Sequence, residues 1–172
     1  MSSLAQKLAG GTFVVTGELN PPKGTELTTL LASATALKGY VDAVNLTDSH
    51  TARMTMSPLA PAVRLQALGL DTILQITGRD RNRIALQAEL LAAHALGVTN
   101  ALCMSGDPPQ GGDHPDAKAI YDLDALGLLR AAKSMERGID VGGNDLKGVP
   151  AFRVGAVANP GSPDLDAEIQ RM

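Results

Sequence analysis

The chain has no tryptophan, two tyrosines, two phenylalanines and one cysteine in 172 residues. So few aromatics leave little material for stacking bases or sugars. A lone Cys103 excludes a disulfide framework and a thiolate metal cluster. It lies inside the apolar run ALCM, the setting of an inert buried thiol rather than a nucleophile. Positive charge is also short. Fifteen Lys and Arg against 18 Asp and Glu leave a net charge of −3, the wrong sign for a surface that displaces counterions from phosphates. No apolar run approaches the roughly 20 residues that span a bilayer, and MSSLAQKLAGG has too short an apolar stretch for a signal peptide. These absences point to a cytoplasmic protein with no nucleic-acid and no membrane partner. His50, His94 and His114 form no i, i+4 ligand pair, so no metal is assigned. Neither Gly111-Gly112 nor Gly142-Gly143 is followed by Lys and Ser or Thr, which excludes a P-loop.

What is present is a hydrophobic content of 44% with 19% charged residues, ordinary for one globular domain able to bury a core. Short apolar runs alternate with longer helical patterns. Strands are expected at residues 12–16 (TFVVT), 43–46 (AVNL), 72–76 (TILQI), 101–104 (ALCM) and 152–157 (FRVGAV). Helices are expected over 25–37, from about 57 with Pro58 at the first position, over 81–96 with Gly97 as the C-cap, over 124–135, and from about 163.

Glu18, Asp48, Asp80 and Asp107 each follow a strand end, at intervals of roughly 30 residues, the length of a strand-helix-strand unit. Such a repeat gives parallel strands and gathers the polar residues at their C-terminal ends. No Gly-rich dinucleotide fingerprint follows the first strand, so a (β/α)₈ TIM barrel is preferred to an open doubly wound α/β sheet. Five strand-helix units do not close a barrel that takes about 250 residues. Residues 1–172 are therefore expected to be the N-terminal portion of a single barrel, with the closing units absent and two strand edges to be covered.

The candidate chemistry lies in these strand-end turns. Glu18, in VVTGELNPP, is stiffened by Pro21-Pro22. It reads as a general acid, which would need partial burial to raise its pKa, or as a solvated or ion-paired rim residue. Asp107, in SGDPPQGG, is fixed between Gly106 and Pro108-Pro109 and reads as a reacting carboxylate or as a turn or capping residue. Asp48, in NLTDSH, also reads as a plain turn. Arg79-Asp80-Arg81 reads as a self-satisfied charge cluster with Asp80 capping the next helix, or as an anion site.

Three segments, TGELNPPKG, ITGRDRNRIALQAELLAAHALGVTNALCMSGDPP and YDLDALGLLRAAKSM, resemble the methylenetetrahydrofolate reductase family. The likeness is closest to the reductase halves of bacterial proteins fused to a homocysteine methyltransferase. It runs from about Thr12 to the end and corresponds to the N-terminal part of a family barrel. The resemblance implies a flavoprotein of one-carbon metabolism and methionine biosynthesis, in which FAD is reduced by NADH or NADPH and 5,10-methylenetetrahydrofolate becomes 5-methyltetrahydrofolate. By matched position, Glu18 would assist opening of the folate ring, and Asp107 would favour the cationic iminium that accepts hydride. Flavin-side positions would be Thr47, Asp48, Gln75, Ser105, Gly106, Tyr121 and Asn159. Ser105 stands where many members carry Arg, and Asn159 where an aromatic is frequent. The family's folate-contacting Gln on strand six falls beyond Met172, so a pocket completed by a homo-oligomer or a partner chain is expected. Two other readings stay open: a non-catalytic half-barrel subunit, and a pterin-binding methyltransferase-type barrel without flavin.

Overall fold

The computed structural model describes residues 3–171. Its centre is one sheet of five parallel strands in sequential order: β1 (Thr16–Leu19), β2 (Ala43–Leu46), β3 (Thr72–Thr77), β4 (Asn100–Met104) and β5 (Arg153–Ala156). The helices are α1 (Ser3–Ala9), α2 (Thr28–Leu37), α3 (Leu59–Ala67), α4 (Arg83–Ala95), α5 (Ala125–Met135) and α6 (Leu165–Arg171). Sequential parallel order excludes the doubly wound arrangement, in which strand order reverses at a switch point. It is consistent with part of a TIM-barrel-like fold.

Strand alternation explains where the core sits. Val44, Leu46 and Leu74 pack with Leu30, Ala62 and Leu65 of the flanking helices in one buried cluster. Ile76, Ala101 and Cys103 pack with Leu86, Leu128 and Met135 in a second. Each fully buried Leu or Ile contributes about 1.5–3 kcal/mol. The register Glu18↔Asn45 and Gln75↔Leu102 puts the alternate residues on the opposite face of the sheet, which is the more polar one.

Several boundaries differ from expectation for physical reasons. The ladder of β1 begins at Thr16↔Ala43, the last of the expected residues 12–16, and runs on to Leu19. Asp42 takes over before that point: its carboxylate accepts the Val15 N–H at 2.8 Å while its own N–H donates to the Val15 carbonyl at 2.7 Å. Phe13 is left 87% exposed, and Glu18 falls inside β1 rather than after it. Helix α4 starts at Arg83, capped by Asn82, whose side chain accepts the N–H groups of Ile84 and Ala85; Asp80 is not the cap. Pro58 precedes α3 instead of opening it. At the other end of α4, Gly97 adopts φ +86 and its N–H donates to His94, while that of Val98 donates to Ala93, a left-handed C-terminal cap. Asp124 caps α5 by accepting the Gly127 N–H at 2.7 Å.

Sequence patterns do not reveal α1. It docks through buried Leu4 and Ala5, with the Leu4 N–H donating to Asp71 and Lys7 paired to Asp42. With Leu4 and Leu8 it borders a hollow of about 280 Å³ that also touches Thr16, Asn45 and Ile73. That hollow lies on the polar face toward the N-terminal ends of the strands, away from the residues singled out above.

Candidate functional site

The C-terminal ends of β2, β3, β4 and β5 surround a cleft of about 320 Å³, at the lower end of the size range of small-molecule sites. Asp48, Gln75, Ser105, Gly106, Asp107 and Asn159 all line it. Thr47, Tyr121 and Glu18 do not. Thr47 is buried, and its hydroxyl donates to Asn20 at 2.7 Å. Tyr121, at φ +45, reaches back so that its hydroxyl donates to the Gly106 carbonyl at 3.3 Å. Glu18 is tied to the cleft through Gln75, whose amide donates to the Glu18 carboxylate at 2.9 Å. Gln75 is thus shared between the β1 carboxylate and the cleft that Asp107 borders. Glu18 itself is exposed. The partial burial expected for a general acid is therefore absent among the described residues.

Asp48 is 8% exposed. Its carboxylate accepts the N–H of Thr77 at 2.9 Å and the Thr77 hydroxyl at 3.1 Å, and it pairs with Arg81. Thr77 closes β3 three residues beyond Leu74, its last pairing with β2, so the Asp48 side chain supplies an acceptor where that ladder has run out. The turn reading of Asp48 captured its place but not this role.

Arg79 does more than the sequence reading gave it. It is 3% exposed, and its fork pairs with Asp80 at 2.8 and 2.6 Å, as the self-satisfied cluster required. The remaining nitrogen donates to the carbonyls of Ser49 at 3.3 Å and Asp107 at 3.5 Å, joining the turns after β2 and β4. The hydrogen-bonded Asp80 raises the guanidinium pKa further, so the charge is permanent. Gly106 packs against it at φ +92, where a Cβ would stand 3.0 Å from that of Arg79. Only glycine takes that conformation readily, and a side chain there would collide with Arg79 and Thr77.

Strain collects around the same turns. Ser49, Thr51 and Ala52 all have positive φ, at 49, 51 and 57°, an unusual density for non-glycine residues and a common mark of functional turns. Also missed in the sequence are His50, which lines the cleft, and Glu168 of α6, which is buried and accepts the Asn159 N–H at 2.8 Å. No short-range pattern could have found Glu168, since its place depends on how α6 folds back. Cys103 also borders the cleft, but burial pushes its thiol up to about 12, and it stays protonated.

Chemically the arrangement offers a carboxylate at the cleft mouth on a proline-stiffened turn, an amide bridging to a second carboxylate, and a hydroxyl and glycine backbone between them. A fixed carboxylate favours developing positive charge in a bound molecule. Among the described residues, no group of three His, Cys, Asp or Glu is arranged to hold a metal ion. No helix among them is long and apolar enough to cross a membrane.

Two comparisons bear on this geometry. The sequence model of the family described as methylenetetrahydrofolate reductase matches residues 3–170, nearly the whole chain. None of the curated proteins matches it.

Proposed function

The chain belongs to the methylenetetrahydrofolate reductase family, and we propose that it works as part of a flavin-dependent reductase converting 5,10-methylenetetrahydrofolate to 5-methyltetrahydrofolate with NADH or NADPH. Membership itself implies an oxidoreductase acting on folate in one-carbon metabolism, in a family that is generally FAD-dependent with a nicotinamide reductant. The observation that carries the finer reading is the Glu18–Gln75 hydrogen bond of 2.9 Å beside a cleft that Gln75 and Asp107 both line. It joins a carboxylate of β1 to one beyond β4 around a single amide.

The residues present fit a flavin. Gly106, packed against Arg79 and Thr77 where a Cβ would not fit, sets its backbone at the cleft wall, and Ser105, Gln75 and Asn159 offer polar groups that could meet the edge of a flat ring. Asp48 and Thr47 would hold that wall rigid, and Tyr121 would fix the Gly106 carbonyl. When bound, FAD would supply the hydride. The chain's own residues would then do the acid–base and electrostatic work. Asp107 would hold negative charge near the methylene carbon as the folate becomes cationic. Glu18 is exposed in this structure, so the folate itself would have to cover it. Burial beside a pterin would raise its pKa and let it protonate the nitrogen released on ring opening.

The sheet leaves β1 and β5 each paired on one side. We take it as part of a (β/α)₈ barrel closed by further strand-helix units, with a homo-oligomer or completing chain as one way to supply them.

The test is spectroscopic. The purified protein should bind FAD, bleach with NADH or NADPH, and be reoxidised by methylenetetrahydrofolate. Glu18→Gln should abolish reoxidation by folate while leaving bleaching intact. Turnover of folate by a protein that holds no flavin would end the reading, and unchanged reoxidation in Glu18→Gln would remove that residue from its role.

A further inference from the structure

The sheet sets the spacing of neighbouring strands, but β1 and β4 are not neighbours. Nothing in the backbone ladder therefore fixes the turn after β1 against the turn after β4, which carries Asp107. One side chain bridges them. Asp113 pairs with Lys23, 90 residues away and just past Pro21-Pro22, and with its other oxygen accepts the Met54 N–H at 2.9 Å. Three loops, after β1, β2 and β4, thus meet at one carboxylate. Two further contacts set the same junction. The Met56 N–H donates to the Pro22 carbonyl at 2.9 Å, and at Gly112 a Cβ would stand 1.9 Å from the Ala52 carbonyl oxygen. The loops after β2 and β4 therefore touch backbone to backbone where a side chain would not fit. The His114 ring lies 3.8 Å away as well, and a small hollow of about 190 Å³ is lined by Asp113 on one side and by Arg79 and Asp80 on another.

We propose that Asp113 is a positioning residue, its carboxylate clamping these three loops so that the Glu18 side of the cleft and the Asp107 side meet one folate. The proposal rests on the reductase reading. Asp113 need touch neither cofactor nor substrate; its effect is transmitted through Lys23 and the Met54 backbone. Misplacement of reacting groups by about 1 Å can cost a hundredfold in rate, so loosening a loop that carries one of two cooperating carboxylates should be felt in the folate step first.

The experiment uses the purified chain with FAD, as wild type, Asp113→Asn, Lys23→Met and the double variant. Flavin reduction by reduced nicotinamide and flavin reoxidation by methylenetetrahydrofolate are measured separately. The expected result is reoxidation slowed about tenfold or more in each single variant, with reduction unchanged. The double variant should be no worse than either single, because both remove one interaction. Equal slowing of both half-reactions, no slowing, or additive losses would overturn the proposal. Hydrogen exchange is followed in the same samples without folate. Faster exchange at residues 20–24 and 49–56 in Asp113→Asn supports the clamp, and unchanged exchange overturns it. A wild type that binds no flavin would sink the reductase reading alone, with the exchange result still deciding the clamp.

Discussion

Asp48 offers the sharpest test of how the cleft is built, because it ends the sheet with a side chain instead of a backbone carbonyl. In Asp48→Ala the Thr77 N–H, in a residue only 2% exposed, is left without its acceptor at 2.9 Å. A buried unsatisfied group of this kind costs about 1–3 kcal/mol. Arg81 also loses its carboxylate, though Glu89 stays within 4.0 Å of it, so that loss is put at about 1 kcal/mol. The total is about 2–4 kcal/mol, and at about 2–4 °C per kcal/mol for a chain of this size the melting temperature should fall by about 4–16 °C. Asp48→Asn keeps an oxygen for the Thr77 N–H and gives up only the charge toward Arg81. It should lose about 1 kcal/mol, within the range for a charged hydrogen bond reduced to a neutral one. Thermal unfolding followed by circular dichroism, without added flavin, decides the matter. If Asp48→Ala melts with the parent, or Asp48→Asn is as damaging as the alanine, the carboxylate does not hold the end of β3.

Three further outcomes are expected. Gly78→Ala would place a Cβ 1.8 Å from the Leu123 carbonyl oxygen; the backbone must move, and denaturant titration should show a loss of about 1–3 kcal/mol, the usual cost of overpacking. The carboxyl of Asp122 is held at about 2 by hydrogen bonds from the Arg83 side chain, below the usual carboxylate range it takes when unfolded. Its stabilisation is therefore complete above the ordinary carboxylate range and is lost as pH falls through about 2, and the difference in melting temperature between parent and Asp122→Asn should be present at pH 6 and nearly gone by about pH 2. Cys103, buried and with its thiol pushed up to about 12, should resist iodoacetamide at pH 8 in the folded protein and react once denatured; rapid alkylation of native protein would contradict its burial.

Much of the architecture is legible in short-range chemistry. Strand patterns near residues 43–46, 72–76 and 101–104, the helix over 124–135 and the Gly97 stop all act within a few residues, so local rules find them. Failures fall where a distant partner decides. The apolar residues 13–15 resemble a strand, yet Asp42 occupies the pairing positions opposite Val15. Asp80 stands well for a cap, but Arg79 claims its carboxylate and leaves the helix to Asn82.

By itself, then, the sequence determined the alternation of strand and helix, hence parallel strands and polar turns gathered at one end, together with a family likeness that the comparison of residues 3–170 upholds. Tertiary structure alone decided which turn residues cooperate: Glu18 with Gln75, Asp48 with Thr77 and Arg81, Arg79 with the Asp107 turn, Asp113 with Lys23. Those pairs are separated by 28 to 90 residues. Their meeting depends on sheet register and on loops packing against one another, and neither is encoded by the spacing of residues along a single segment.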